Sequence, residues 1–183
     1  MSFAQCFNAE IQHLAPLFAA AEKADREFHQ AWREGLAKLG TGQYKLTDRY
    51  CDTLERFHEA RQVIDKSVLT ALVQAKLGDL AQLPRLFAYI SLPGRYFRSG
   101  YQRAAIWRFL KQLPLDEEQS GILRGIVLCQ IEAAGPEFQE VSRAACRVDS
   151  AELRDNVNIL GLRSEKDYVR QRAKRLLAQL ELS

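Results

Sequence analysis

Eight apolar residues, Leu17, Ala21, Ala24, Phe28, Ala31, Trp32, Leu36 and Leu39, recur at short helical steps. A side chain returns to the same side of an α-helix about every 3.6 residues, so this spacing predicts one helix with one buried stripe. Tyr50, Leu54, Phe57, Ile64, Val68 and Leu72 predict a second such face, on a helix from Thr47 or Asp48 to Leu77. The pattern leaves open whether that helix breaks near Asp65 to Ser67. No run alternates with period two for long enough to argue a strand. The chain is therefore confined to helix-on-helix solutions.

Punctuation divides the rest. Ser2 caps a helix from Phe3 to Leu14, and Pro16 fits the first turn of a separate helix. Gly40-Thr41-Gly42 ends that helix, and Gly78-Asp79 ends the next. A helix over 80–90, disturbed by Pro84, is followed by the loop Ser91-Leu92-Pro93-Gly94 and a helix from Tyr101 to Leu113. Asp116-Glu117-Glu118-Gln119 is a capping-box variant opening a helix to Ala134. Gly135-Pro136 introduces a helix to about Arg147. Ser150 caps one from Ala151 to Leu160, closed by Gly161. Ser164-Glu165-Lys166-Asp167 opens the last, to about Leu182.

The length of 183 residues suits one domain over 1–183, with sub-halves 1–78 as a bundle and 79–183 as helix pairs. Cys6, Cys51, Cys129 and Cys146 show no metal-knuckle spacing and fall in apolar patterns, where free thiols pack as small hydrophobes. That usage fits a reducing cytoplasm. No basic leader and no long apolar run are present, so neither a signal peptide nor a membrane span is expected. No phosphate-loop, dinucleotide or nucleophile-elbow motif occurs, so no cofactor and no catalytic residue is implied.

An apolar residue followed by arginine opens a small-residue and leucine stripe more than once. Val169-Arg170 precedes Ala173, Leu177 and Leu180, and Leu123-Arg124 precedes Val127, Ile131 and Ala134. Leu153-Arg154 precedes Val157 and Gly161, and Gln102-Arg103 precedes Ala105, Leu110 and Leu113. The second half of the chain thereby resembles the inner helices of HEAT-like repeats. The four arginines are separated by 21, 30 and 16 residues rather than by one period. The resemblance implies antiparallel helix pairs in a right-handed stack, with an irregular bundle as the alternative. It also implies use as an adaptor or scaffold.

The stretch from Leu80 to Leu115 holds six cations and no Asp or Glu. The net charge is +3, so the rest of the chain carries −3 and the basic character is local. Arg95, Arg98, Arg103 and Arg108 are the candidate contacts for an acidic protein partner, with Tyr96 and Tyr101 beside them. On a nucleic acid the same tyrosines would stack on bases. The competing reading has the aromatics in the core and the cations paired with the six acids of Asp116 to Glu140. The last helix, with Arg170, Arg172, Lys174 and Arg175, reads as a solvated cationic face that complements its own dipole. Glu10 with His13, and Glu55 with His58, repeat the Glu-x-x-His spacing used by di-iron bundles, and would need to converge to hold a metal.

The sequence thus predicts an all-α protein of about eight or nine helices. Its expected role is non-catalytic binding of an acidic protein. Nucleic-acid binding is the alternative, and carboxylate–histidine metal binding a third reading.

Overall fold

The computed structural model describes residues 1–39, 48–93, 96, 99–133, 135 and 137–182. Of the described residues 87% are helical, and none lies in a strand. The described residues form eight α-helices, α1 (Phe3–Leu39), α2 (Asp48–Lys76), α3 (Leu83–Ser91), α4 (Ser99–Leu110), α5 (Glu117–Ala133), α6 (Phe138–Ala145), α7 (Ala151–Arg163) and α8 (Asp167–Glu181). Single 3-10 turns occupy Leu80–Gln82 and Cys146–Val148. None of the described helices is long and apolar enough to cross a membrane.

The first two expected helices are one. Pro16 lies inside α1 and is exposed, so its missing hydrogen bond falls on the solvent side. Leu14, Phe18 and Ala21 are buried on both sides of it, in one unbroken stripe. Burying these residues outweighs the roughly 3 kcal/mol that an interior proline costs. The outer part of the stripe is less covered than its spacing suggests, because Trp32 and Leu36 stay nearly half exposed. α2 runs unbroken through Asp65 to Ser67, and Gly78, at φ +102°, follows its end in the left-handed conformation. The glycine pair expected to end the preceding helix lies outside the described residues.

Other boundaries follow their signals. Ser2 Oγ accepts from Gln5 N, Ser150 Oγ accepts from Leu153 N, and Pro84 sits harmlessly in the first turn of α3. Asp116 and Gln119 bond reciprocally, Gln119 N to Asp116 Oδ1 at 2.8 Å and Asp116 N to Gln119 Oε1 at 3.2 Å. Gly161 is not a terminator. It lies within α7, where a Cβ would meet the Ala173 Cβ of α8 at 3.0 Å, so its role is close helix approach. The cysteines depart from expectation too, since Cys51 and Cys129 are exposed.

Successive helices form four pairs, α1–α2, α3–α4, α5–α6 and α7–α8, and the pairs stack. The first helices form one layer, with α1 on α3, α3 on α5 and α5 on α7. The second helices form the other, α2 on α4, α4 on α6 and α6 on α8. One apolar cluster runs between them, from Leu14 through Trp107 and Val127 to Leu180. Glu118 at the start of α5 fastens the first pair to the third by accepting from Phe3 N and Ala4 N at the start of α1. α1 and α2 run antiparallel, tied by Glu27 to Arg56 at 3.5 Å and by Glu34 to Arg49 at 2.9 Å. From Phe28 outward these two helices pack on each other, with Phe28 stacked on Phe57 at 5.7 Å.

Candidate functional site

The six candidates of the basic stretch do not meet on one surface. Arg95 and Arg98 lie outside the described residues. Arg103 is 1% exposed, and a guanidinium so placed offers no donor to a partner. It donates from Nη1 to Ile90 O at 3.2 Å and from Nη2 to Leu92 O at 2.6 Å, closing the end of α3. Its cation also lies over the rings of Phe18 and Tyr89, 5.7 and 5.6 Å from their centroids. Tyr96 is 4% exposed, and its hydroxyl donates to Asp65 Oδ1 at 2.9 Å. Tyr89 donates to Gln102 Oε1, and the two tyrosine oxygens are 3.0 Å apart. Burial pushes both phenols well above the ordinary tyrosine range, and for Tyr96 the adjacent Tyr89 and the Asp65 carboxylate add to the shift. Arg103 and Tyr96 therefore bind α2, α3 and α4 together.

Of the other cations in the stretch, Arg85 makes two hydrogen bonds to Glu10, at 2.9 and 3.0 Å, and Lys111 approaches Glu140 at 3.6 Å. Of the candidates among the described residues, Arg108 and Tyr101 are exposed, Tyr101 79% so. They are two helical turns apart on the outer side of α4. Arg108 Nε donates to Ala104 O of its own helix, and no carboxylate pairs with it among the described residues. It lines a groove of about 470 Å³ with Lys76 of α2, Ala105, Phe109 and Gln112.

The layering sorts charge in a way that one linear stretch does not. α4, α6 and α8 carry seven Arg or Lys, one of them the buried Arg103, against three Asp or Glu. α3, α5 and α7 carry four against five. α1 carries four against five and α2 five against five, so the second helices have a net charge of +4 and the first helices of −2, with the excess of cations on α4, α6 and α8.

A second groove lies in that layer, between α6 and α8. It measures about 460 Å³ and is lined by Gly135, Phe138, Gln139, Ser142, Arg172, Arg175 and Gln179. The Arg172 guanidinium sits over the rings of Phe138 and Tyr168, 5.1 and 5.2 Å from their centroids, and donates to Ile131 O at 3.1 Å. Among the described residues, neither Arg172 nor Arg175 pairs with a carboxylate. These residues escape a reading of charge along the sequence because Arg170 and Lys174 intervene on the same helix. The usable signal is Tyr168, Arg172, Arg175 and Gln179 at steps of three and four, flanking the buried stripe Val169, Ala173, Leu176 and Leu180. Arg170 belongs to the other side of α8, donating to Ser164 O and pairing with Asp167.

The Glu-x-x-His copies do not converge. Glu10 is engaged by Arg85. The antiparallel pairing of Glu27 with Arg56 sets Glu55 and His58 level with the region of Glu27 on α1. About fifteen helical residues separate that level from His13, a distance of roughly 20 Å at about 1.5 Å per residue. His13, Glu55 and His58 are exposed, and no group of three metal-ligating side chains occurs among the described residues.

No family model, curated protein or solved structure matches the chain.

Proposed function

We propose that this protein is a non-catalytic, HEAT-like scaffold that docks an acidic segment of a partner protein on the layer formed by α4, α6 and α8. The observation that carries the reading is the separation of charge between the two helix layers. Two grooves on the basic layer hold cations without a carboxylate among the described residues: Lys76 and Arg108 in one, Arg172 and Arg175 in the other. Such positions attract a negative chain over distance and hold it at contact. The binding set accordingly loses Arg103 and Tyr96, which are buried, keeps Arg108 and Tyr101 together with Arg95 and Arg98, which lie outside the described residues, and gains Lys76, Arg172 and Arg175.

Fluorescence anisotropy with a short labelled polyglutamate peptide tests this reading. The peptide binds at low salt, and its affinity declines moderately as salt rises. A single-stranded oligonucleotide, titrated in parallel, binds more weakly. A tighter oligonucleotide complex with a steep salt slope would transfer the assignment to nucleic acid. No binding of the peptide at low salt would remove the proposal.

A further inference from the structure

We infer that the groove between α6 and α8 is a phosphomonoester site, the anchor point for a phosphorylated serine or threonine within the acidic segment. The inference rests on the docking reading and adds the chemistry of one position. The groove holds two guanidinium groups three residues apart on α8 and has no carboxylate among its described lining residues. A single carboxylate entering it would leave one positive charge unbalanced. A phosphomonoester carries about −1.5 to −2 charges near neutral pH and three acceptor oxygens, which matches two arginines.

The donors are set before a ligand arrives. Phe138 and Tyr168 both lie against the Arg172 guanidinium, and Ile131 O takes one N–H of Nη1. Nε and Nη2 have no partner among the described residues. A cation stacked and tethered in this way loses little rotamer freedom on binding. Arg175 makes no hydrogen bond or ion pair among the described residues and is exposed at the groove's edge, free to close on the anion. The amides of Gln139 and Gln179 add neutral donors. Ser142 is not among the donors, because its hydroxyl already donates to Phe138 O at 3.1 Å.

Inorganic phosphate, titrated at constant ionic strength and followed through the arginine Nε–H resonances, is the first probe. The signals of Arg172 and Arg175 shift saturably, acetate at equal ionic strength fails to reproduce the shifts, and Arg175→Gln weakens binding about tenfold or more. Arg175 is exposed, so unchanged circular dichroism verifies that the variant is folded. Shifts that rise without saturating, match those given by acetate, or saturate with native affinity in Arg175→Gln would overturn the inference. The second probe compares a phosphoserine-containing acidic peptide with its unphosphorylated form. The phosphorylated peptide binds about tenfold tighter to the native protein and equally to Arg175→Gln; equal binding to the native protein would overturn the anchoring role. Phosphate binding without any acidic-peptide binding would refute the docking reading alone. Acidic-peptide binding without phosphate binding would refute this inference alone.

Discussion

Replacing Arg103 with alanine separates a contact arginine from a structural one. An exposed arginine costs within about 0.5 kcal/mol when truncated. Arg103 is buried and makes two charge-assisted hydrogen bonds to the carbonyls that end α3. Each such bond contributes about 1.5–3 kcal/mol. Ile90 O keeps a second donor, Gln130 Nε2 at 2.9 Å, so the loss there is partial. Leu92 O has no such second donor among the described residues and is left unsatisfied. The desolvated contacts with Phe18 and Tyr89 add about 1–2 kcal/mol. Relief from burying a charge returns part of this. The net loss is about 3–5 kcal/mol, a large share of the roughly 5–15 kcal/mol that holds a domain together. Urea unfolding reads it directly: with a slope of about 2 kcal/mol/M, the midpoint falls by about 2 M. Arg103→Met keeps the volume and loses nearly as much, because the methionine cannot donate to Leu92 O. A change below about 1 kcal/mol in both variants would refute the assignment of Arg103 to the core.

Two further sets of variants probe the same framework. Tyr89 and Tyr96 hold their protons more firmly folded than unfolded. Above about pH 10 the unfolded chain releases protons that the folded chain keeps, so stability is complete below that pH and falls as pH rises, by up to about 1.4 kcal/mol per unit for each phenol. Tyr96→Phe makes this alkaline slope shallower in urea titrations; an unchanged slope would show that Tyr96 titrates normally. Gly125 lies inside α5, and a methyl group added there meets nothing within 4 Å, so Gly125→Ala raises stability by about 0.5–1 kcal/mol. Gly161→Ala gains the same helix propensity but forces a 3.0 Å contact with Ala173, and thermal unfolding shows no gain. Equal stabilisation by both would mean that α7 and α8 separate at little cost.

Helical identity was legible because burial obeys the apolar period almost everywhere, and most caps are written in local residues such as Ser150, Asp116 and Gln119. Pro16 misled because proline chemistry is local, whereas the stripe from Leu14 through Phe18 to Ala21 is held by tertiary packing. Gly161 misled for the same reason, since its neighbour Ala173 lies on another helix. Basic character was legible in the sequence, but which cations reach the surface was not. Charge density along a sequence does not tell Arg103, turned inward to two carbonyls, from Arg108, turned outward. It also cannot pair Arg85 with Glu10, 75 residues away. The basic layer emerges only when α4, α6 and α8 are aligned by stacking, which draws Arg172 and Arg175 onto the same layer as Arg108.

The most direct test of that layer is charge reversal at fixed net charge. One double variant carries Arg108→Glu and Arg175→Glu, on the second helices; the other carries Arg33→Glu and Arg163→Glu, on the first helices α1 and α7. All four arginines are exposed, and both variants change net charge equally. Anisotropy titrations with polyglutamate should show binding lost in the first variant and nearly native in the second. Equal loss in both would mean that only total charge matters, and native binding in the first would contradict the account outright.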